Sequence, residues 1–217
     1  MSDDIRVIHG DSLDVLPTLT GIDAVVTDPP YGISERTDRA SKGRGKLAPC
    51  NDFPPVMGDD RPFDPAPWLQ FPRVILWGAN HYGSRLPDAS RWLVWDKRDG
   101  LNPNDNADCE LAWTNLGGPA RLFHHRWNGM IKDSEQAQKR VHPTQKPVRL
   151  MAWCLAQLNL PPGSLVVDPY AGSGSLGVAC LKAGLRCILI EKDQRYIKVI
   201  KRRLADAATP LFAGVDS

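Results

Sequence analysis

Short apolar bursts punctuate this chain, and several of them stop at a proline, a glycine or a carboxylate. Ile5–Ile8 leads into Gly10-Asp11, and the β-branched run Ala24–Thr27 ends at Asp28. Val74–Trp77 stops at Gly78, Leu93–Trp95 at Asp96, and Cys109–Trp113 follows a polar Asn/Asp/Pro stretch. Near the C-terminus, Val166–Asp168 and Ile188–Glu191 each end on an acid. Runs of this length and β-branched character predict seven strands. Val148, Met151, Ala152, Leu155 and Leu158 recur at helical spacing behind Pro147, so Pro147–Leu158 reads as a helix with proline at its start. Gly174–Ala183, closed by Gly184, and the basic amphipathic Gln194–Ala205 read as two more, and Asp11 or Ser12 is placed to cap a brief one reaching Leu16 and Leu19. Residues 32–66 have no period and predict a long loop, mobile in part. Residues 115–143 are irregular, basic and aromatic.

This alternation predicts an α/β chain of 217 residues forming a single domain, 1–217, without internal repeat. Five scattered cysteines with no Cys-x-x-Cys pair suggest neither a disulfide framework nor a metal site, which fits a cytoplasmic protein. No apolar run is long enough to span a bilayer, and the acidic Met1-Ser2-Asp3-Asp4 start lacks a signal-peptide pattern. A net charge of +2 says little, but its distribution says more. Residues 121–150 carry seven Lys/Arg against two acids, and residues 35–46 five against two. Arg36, Arg39, Lys42, Arg44, Arg121, His124, His125, Arg126 and Lys132 are therefore candidate nucleic-acid contacts. A solvated basic face explains either cluster equally well.

Two turns carry chemistry. Gly172-Ser173-Gly174-Ser175-Leu176-Gly177 matches G-x-G-x-x-G between a strand and a helix, with Glu191 at the end of the next strand. Its glycines let the backbone approach a ligand at a helix N-terminus, and the carboxylate suits ribose hydroxyls. The pattern alone does not separate nicotinamide from other adenosine cofactors. Against a nicotinamide dehydrogenase, Asp168-Pro169-Tyr170-Ala171 intervenes before the glycines, and only 26 residues follow Glu191, too few to complete a sheet. The remaining strands must come from the N-terminal part, so the element order is permuted.

The other turn is Asp28-Pro29-Pro30-Tyr31. An aromatic exocyclic amine is a poor nucleophile because its lone pair is delocalised into the ring. The Asp28 carboxylate and a backbone carbonyl can accept its two hydrogens and aim the lone pair at an electrophile. Tyr31 can stack on the base, and Pro29 and Pro30 stiffen the acceptors. A base in a duplex must first leave the stack.

These motifs resemble those of the amino-group DNA methyltransferases of the permuted β class. Asp28-Pro29-Pro30-Tyr31-Gly32 is similar to their catalytic motif and Asp168–Gly174 to their cofactor motif. His142-Pro143-Thr144-Gln145-Lys146-Pro147 and Gly10-Asp11-Ser12 are similar to two shorter motifs of the class. The resemblance implies a Rossmann-like S-adenosylmethionine-dependent methyltransferase fold. Its sheet is mostly parallel and seven-stranded with one antiparallel strand, and its motif order is circularly permuted. It implies S-adenosylmethionine as cofactor, with Asp11 and Ser12 near the adenine and Glu191 on the ribose. Asp28, Asp168, Tyr170, Gly172, Ser173 and Gly174 would line the pocket, while Thr144 and Lys146 reach the methionine end and Lys146 pairs with its carboxylate. It further implies duplex DNA as substrate and adenine N6 as acceptor, with cytosine N4 as the nearest alternative. A homodimer and a restriction endonuclease counterpart are partners the class allows. Residues 115–140 leave room for only a short target-recognition segment. C5-cytosine chemistry would need a cysteine nucleophile, and Pro49-Cys50 lies outside any strand-end setting. A nicotinamide dehydrogenase and a non-catalytic DNA-binding protein of the same fold are the more distant readings.

Overall fold

The computed structural model describes residues 4–34, 53–99, 107–128, 131–136 and 140–209. Arg36, Arg39, Lys42, Arg44 and Cys50 lie outside them. Among the described residues ten strands are formed: β1 (Ile5–His9), β2 (Ala24–Thr27), β3 (Val74–Trp77), β4 (Trp92–Asp96), β5 (Cys109–Thr114), β6 (Arg121–His124), β7 (Trp127–Asn128), β8 (Ile131–Lys132), β9 (Leu165–Asp168) and β10 (Arg186–Glu191). The α-helices are α1 (Ser12–Val15), α2 (Val148–Leu158), α3 (Ser175–Ala183) and α4 (Gln194–Ala208).

Eight strands make one sheet in the order β1-β10-β9-β2-β3-β5-β4-β6, and β7 and β8 pair separately. Every pairing in the large sheet is parallel except the two that β5 makes, with β3 and β4. All seven strands read from the sequence are present, with one antiparallel among them. The eighth, β6, corrects the count of seven. Its residues are exposed except for a half-buried Phe123, so it carries none of the apolar density that marks a buried strand. The hairpin β7–β8 likewise falls within the stretch read as irregular.

The central strands β2, β3 and β9 are buried at every position. Parallel strands covered on both faces read as continuous apolar runs for this reason. One face packs on α2, α3 and α4 through Leu150, Cys154, Leu158, Leu176, Ile200 and Leu204. The opposite face is covered without a long helix, by Phe63, Trp68 and Tyr82 on one side and Val15, Leu19 and Ile22 on the other. Among the described residues no helix is long and apolar enough to cross a membrane.

The chain leaves β9 toward β10 through α3, and leaves β2 toward β3 on the other side. The boundary between β9 and β2 is therefore the switch point of the sheet. In open α/β sheets ligands bind there, at the carboxyl ends of the strands. Ala24 and Val25 pair in register with Val166 and Val167, which brings Asp28 and Asp168 to the same edge.

Candidate active site

A cavity of about 380 Å³ opens at this edge, within the usual range of roughly 300–1,000 Å³ for small-molecule sites. Its walls come from separate places in the chain. Asp11 and Ser12 follow β1, Asp28 to Tyr31 follow β2, and Asp168 to Ser173 lie at the end of β9. Glu191 from β10, Thr144 and Lys146 before α2, and the stretch from Val56 to Pro67 add to them. Ten of the eleven residues named above for the cofactor thus line one cavity. Gly174 does not. With φ of +75° it caps α3, and a Cβ there would come within 3.0 Å of Ile200, so it shapes the turn and packs the helix.

The glycine loop is held from several directions. Glu191 accepts backbone N–H bonds from Gly172 (2.8 Å) and Asp193 (2.7 Å). Ser175 Oγ donates to the Lys146 carbonyl at 2.6 Å, tying the loop to the segment before α2. Asp11 caps α1 through Leu13 N–H and pairs with Lys192 at 2.8 Å, which holds its carboxyl below the ordinary range. His142 lines the cavity beside Tyr196, their ring centroids 4.3 Å apart. Burial, with the Lys146 charge nearby, lowers its pKa to about 3, so the ring is neutral at pH 7.

Asp168 accepts from the Thr27 hydroxyl (2.7 Å) and from Tyr170 N–H (3.1 Å). Burial nevertheless pushes its carboxyl up to about 7. A raised folded pKa stabilises the fold fully below the unfolded value near 4, and that contribution is lost as pH rises through about 7. The full change is about 4 kcal/mol by this linkage. Asp168→Asn is therefore expected to gain stability over the parent between pH 4 and pH 8, read from urea unfolding at both. Parallel stability curves for the two proteins would exclude it.

Asp28 lies at the centre of a charge cluster. Tyr31 donates its hydroxyl to one carboxylate oxygen and Lys146 pairs with the other. Lys146 also reaches Glu110 (3.0 Å), whose other oxygen accepts from Lys97 (2.9 Å). The resemblance sends Lys146 to the methionine carboxylate. The structure instead sets its ammonium between two half-buried carboxylates of the chain, which hold it charged and raise its pKa. Burial raises the Asp28 pKa despite Lys146, whereas Glu110, between two ammonium groups, is drawn down to about 2.

Tyr31 is stacked on His81, with centroids 4.7 Å apart and planes 12° apart. Its ring edge lies on Gly78, where a Cβ would come within 2.6 Å of the tyrosine hydroxyl. Asp59, buried, accepts from Gly32 N–H (2.8 Å) and Ile33 N–H (3.2 Å) and so fixes the exit of this turn. Glu110, His81 and Asp59 belong to none of the motifs read from the sequence, and Gly78 only to the loose match Trp77-Gly78-Ala79-Asn80. Only Gly78, ending an apolar run, carried a local signal.

The basic candidates separate. Arg121 is exposed on β6. His124 is exposed and bonded to Asp96 at 3.0 Å. Arg126 pairs with Asp133 at 2.8 Å, and Lys132 sits 4.7 Å from the Trp127 ring centre. His125 is a correction: it is 3% exposed and bonded to Ser134 at 2.9 Å. It packs near Trp127 beneath the surface.

The N6/N4 DNA methylase family matches residues 90–202, just over half the chain. The chain belongs to this family. It is similar to the DNA adenine methyltransferase YhdJ of Escherichia coli K12, 26% identical over 91% of this chain and 82% of that protein. Among solved structures, the fold is that of the M1.HpyAVI–SAM complex (TM-score 0.57, 20% identity, covering 92% of this chain and 98% of that one). It is also that of the cytosine-N4-specific PvuII DNA methyltransferase (TM-score 0.63, 14% identity, 95% and 92% covered). As an N6/N4 DNA methylase the protein uses S-adenosylmethionine, a methyl donor with a positively charged sulfonium. The cavity fits such a group chemically. It sets Asp11 and Glu191 beside the glycine loop, and its wall carries Asp28 and Asp168, whose carboxylates suit a cation.

Proposed function

We propose that this protein methylates adenine N6 in duplex DNA, at a base turned out of the helix. The observation that carries the reading is the adjacency of the Asp28 turn and the glycine loop. They come from opposite ends of the chain and line one cavity. In this reading Asp11, Ser12 and Glu191 hold the adenosine, while Asp168, Tyr170, Gly172, Ser173 and Thr144 hold the methionine part. Bound there, S-adenosylmethionine supplies an electrophilic methyl group.

The protein's own residues act on the base. The Asp28 carboxylate accepts one amine hydrogen and a backbone carbonyl of Asp28 or Pro29 the other, which brings the nitrogen lone pair out of conjugation. The base displaces the Tyr31 hydroxyl from Asp28, and the tyrosine ring is then free to stack on it. As the N–C bond forms and the S–C bond breaks, the amine becomes cationic and gives up a proton. Burial raises the affinity of Asp28 for that proton. Pro29 and Pro30 hold this geometry without reorganisation. In this reading Arg121, His124, Arg126 and Lys132 meet phosphates, which position rather than specify. The enzyme would act in the cytoplasm, where unmodified DNA is accessible, alone or as a dimer, with or without a cognate endonuclease.

Adenine is favoured by the Asp-Pro-Pro-Tyr sequence and by the name of the E. coli relative. Transfer of label from S-adenosylmethionine to unmethylated duplex DNA, followed by nucleoside analysis, tests this. Label in N6-methyladenine is expected. Label in N4-methylcytosine would keep the mechanism and overturn the base. Absence of label with S-adenosylmethionine bound would overturn the substrate.

A further inference from the structure

The antiparallel strand of the large sheet, β5, has a consequence for the site. Because β5 runs against its neighbours, it begins at the edge where the parallel strands end. Glu110, its second residue, is thereby delivered to the carboxyl edge, behind Asp28. Across the β4–β5 ladder, Trp95 pairs with Glu110 and Asp96 with Cys109, and Lys97 follows directly. The four charged groups then alternate in sign: Lys97, Glu110, Lys146, Asp28. Each Glu110 oxygen takes one ammonium, at 2.9 Å and 3.0 Å. The Lys146 and Asp28 side chains are 9% and 14% exposed, so water screens this chain of charges poorly.

We propose that Glu110 is a positioning residue for methyl transfer: backed by Lys97, it shares the Lys146 ammonium with Asp28 and so sets how strongly Asp28 accepts the protons of the target amine. This rests on the reading that Asp28 receives the amine. Lys146 is a mobile-stemmed point charge, and left to Asp28 alone it would neutralise the carboxylate that the amine needs. Glu110 draws part of that charge away. Lys97 limits the pull by compensating Glu110 from the far side. The other titratable groups facing Asp28 are Tyr31 on its own turn, Tyr82 after β3 and Asp168 on β9, and none of these carries a positive charge.

The two outer residues therefore have opposite effects. In Glu110→Gln, Lys146 belongs to Asp28 alone. The Asp28 pKa falls, the acid limb of the kcat–pH profile moves to lower pH, and kcat drops on the order of tenfold, the scale of coupling between directly paired groups. In Lys97→Met, Glu110 holds Lys146 more fully, and the Asp28 pKa and the acid limb move up. KM for S-adenosylmethionine is expected to change little in either. The Asp28 carboxyl titration, followed by carbon-13 NMR with Asp28→Asn as the assignment control, reads the same shifts without any assay of DNA methylation. Opposite displacements of that titration establish the coupling even if no DNA substrate is turned over, a result that would count against the amine reading alone. Displacements of the same sign, or none, in variants that melt within a few degrees of the parent would overturn the proposal. If Glu110→Gln fails to fold, Glu110→Asp keeps the charge on a shorter arm and Lys97→Met still decides the sign.

Discussion

Asp28→Ala is expected to abolish methyl transfer while the protein still folds and binds S-adenosylmethionine. Removing one preorganised hydrogen-bonding group from a site of this kind costs roughly 10²–10³-fold in turnover. Here the loss should reach the upper end, because the same carboxylate accepts the amine hydrogen and takes its proton. The fold should tolerate the change. Lys146 keeps its 3.0 Å partner Glu110, so no ammonium is left alone in the interior. Single-turnover rates with saturating S-adenosylmethionine, together with its binding constant, measure the effect. A variant that transfers methyl groups near the parent rate would remove Asp28 from the mechanism. A variant that loses cofactor binding as well would assign Asp28 to the cofactor instead.

Gly78→Ala should be nearly as damaging, although Gly78 touches neither ligand. Its φ is +69°, in the left-handed region, and an added Cβ would lie on the Tyr31 ring. The backbone strain is about 1–2 kcal/mol, which the sheet can absorb. The steric conflict it cannot, because Tyr31 is pinned by Asp28 on one side and by His81 on the other. The tyrosine must move, and displacements near 1 Å in a catalytic array lower turnover on the order of 10²-fold. S-adenosylmethionine affinity should hold. Turnover within twofold of the parent, in a protein with an unchanged melting temperature, would show that the position of Tyr31 is not critical. Tyr31→Phe is the milder counterpart, since it keeps the ring on Gly78 and loses only the hydroxyl.

Much of the scaffold could be read in advance because the sheet is buried on both faces. Val74–Trp77 and Leu165–Asp168 are apolar at nearly every position for that reason, and each stops where the polar edge begins. Strand β6 escaped because Arg121, Leu122 and His124 face solvent and only Phe123 packs inward. The turns that hold ligands were visible too, since glycine and proline are required by backbone geometry and leave a local signature. The partners of those turns left none. Glu110 meets Lys146, 36 positions on in the segment before α2, only through the tertiary fold, and nothing around Glu110 in sequence distinguishes it from a solvated acid. His125 was misleading in the opposite sense. Its neighbours Arg121, His124 and Arg126 make the stretch look like a basic face, while the pleat turns His125 inward onto Ser134.

The pairing of β2 with β9 also bears on how the enzyme comes into being. Residues 24 and 25 meet residues 166 and 167, so these two neighbouring inner strands of the sheet are separated by about 140 positions of chain. Contacts of such long range are slow to form because the loop entropy must be met before they contribute. On a ribosome adding about 5–20 residues per second, the intervening chain takes roughly 7–28 s to appear. During that interval Ala24–Thr27 is an apolar strand with one of its two neighbours, β9, not yet made, the kind of segment that chaperones shelter. The Asp28 turn can have no cofactor loop beside it until Asp168 has emerged, so a partly synthesised chain holds no assembled catalytic centre.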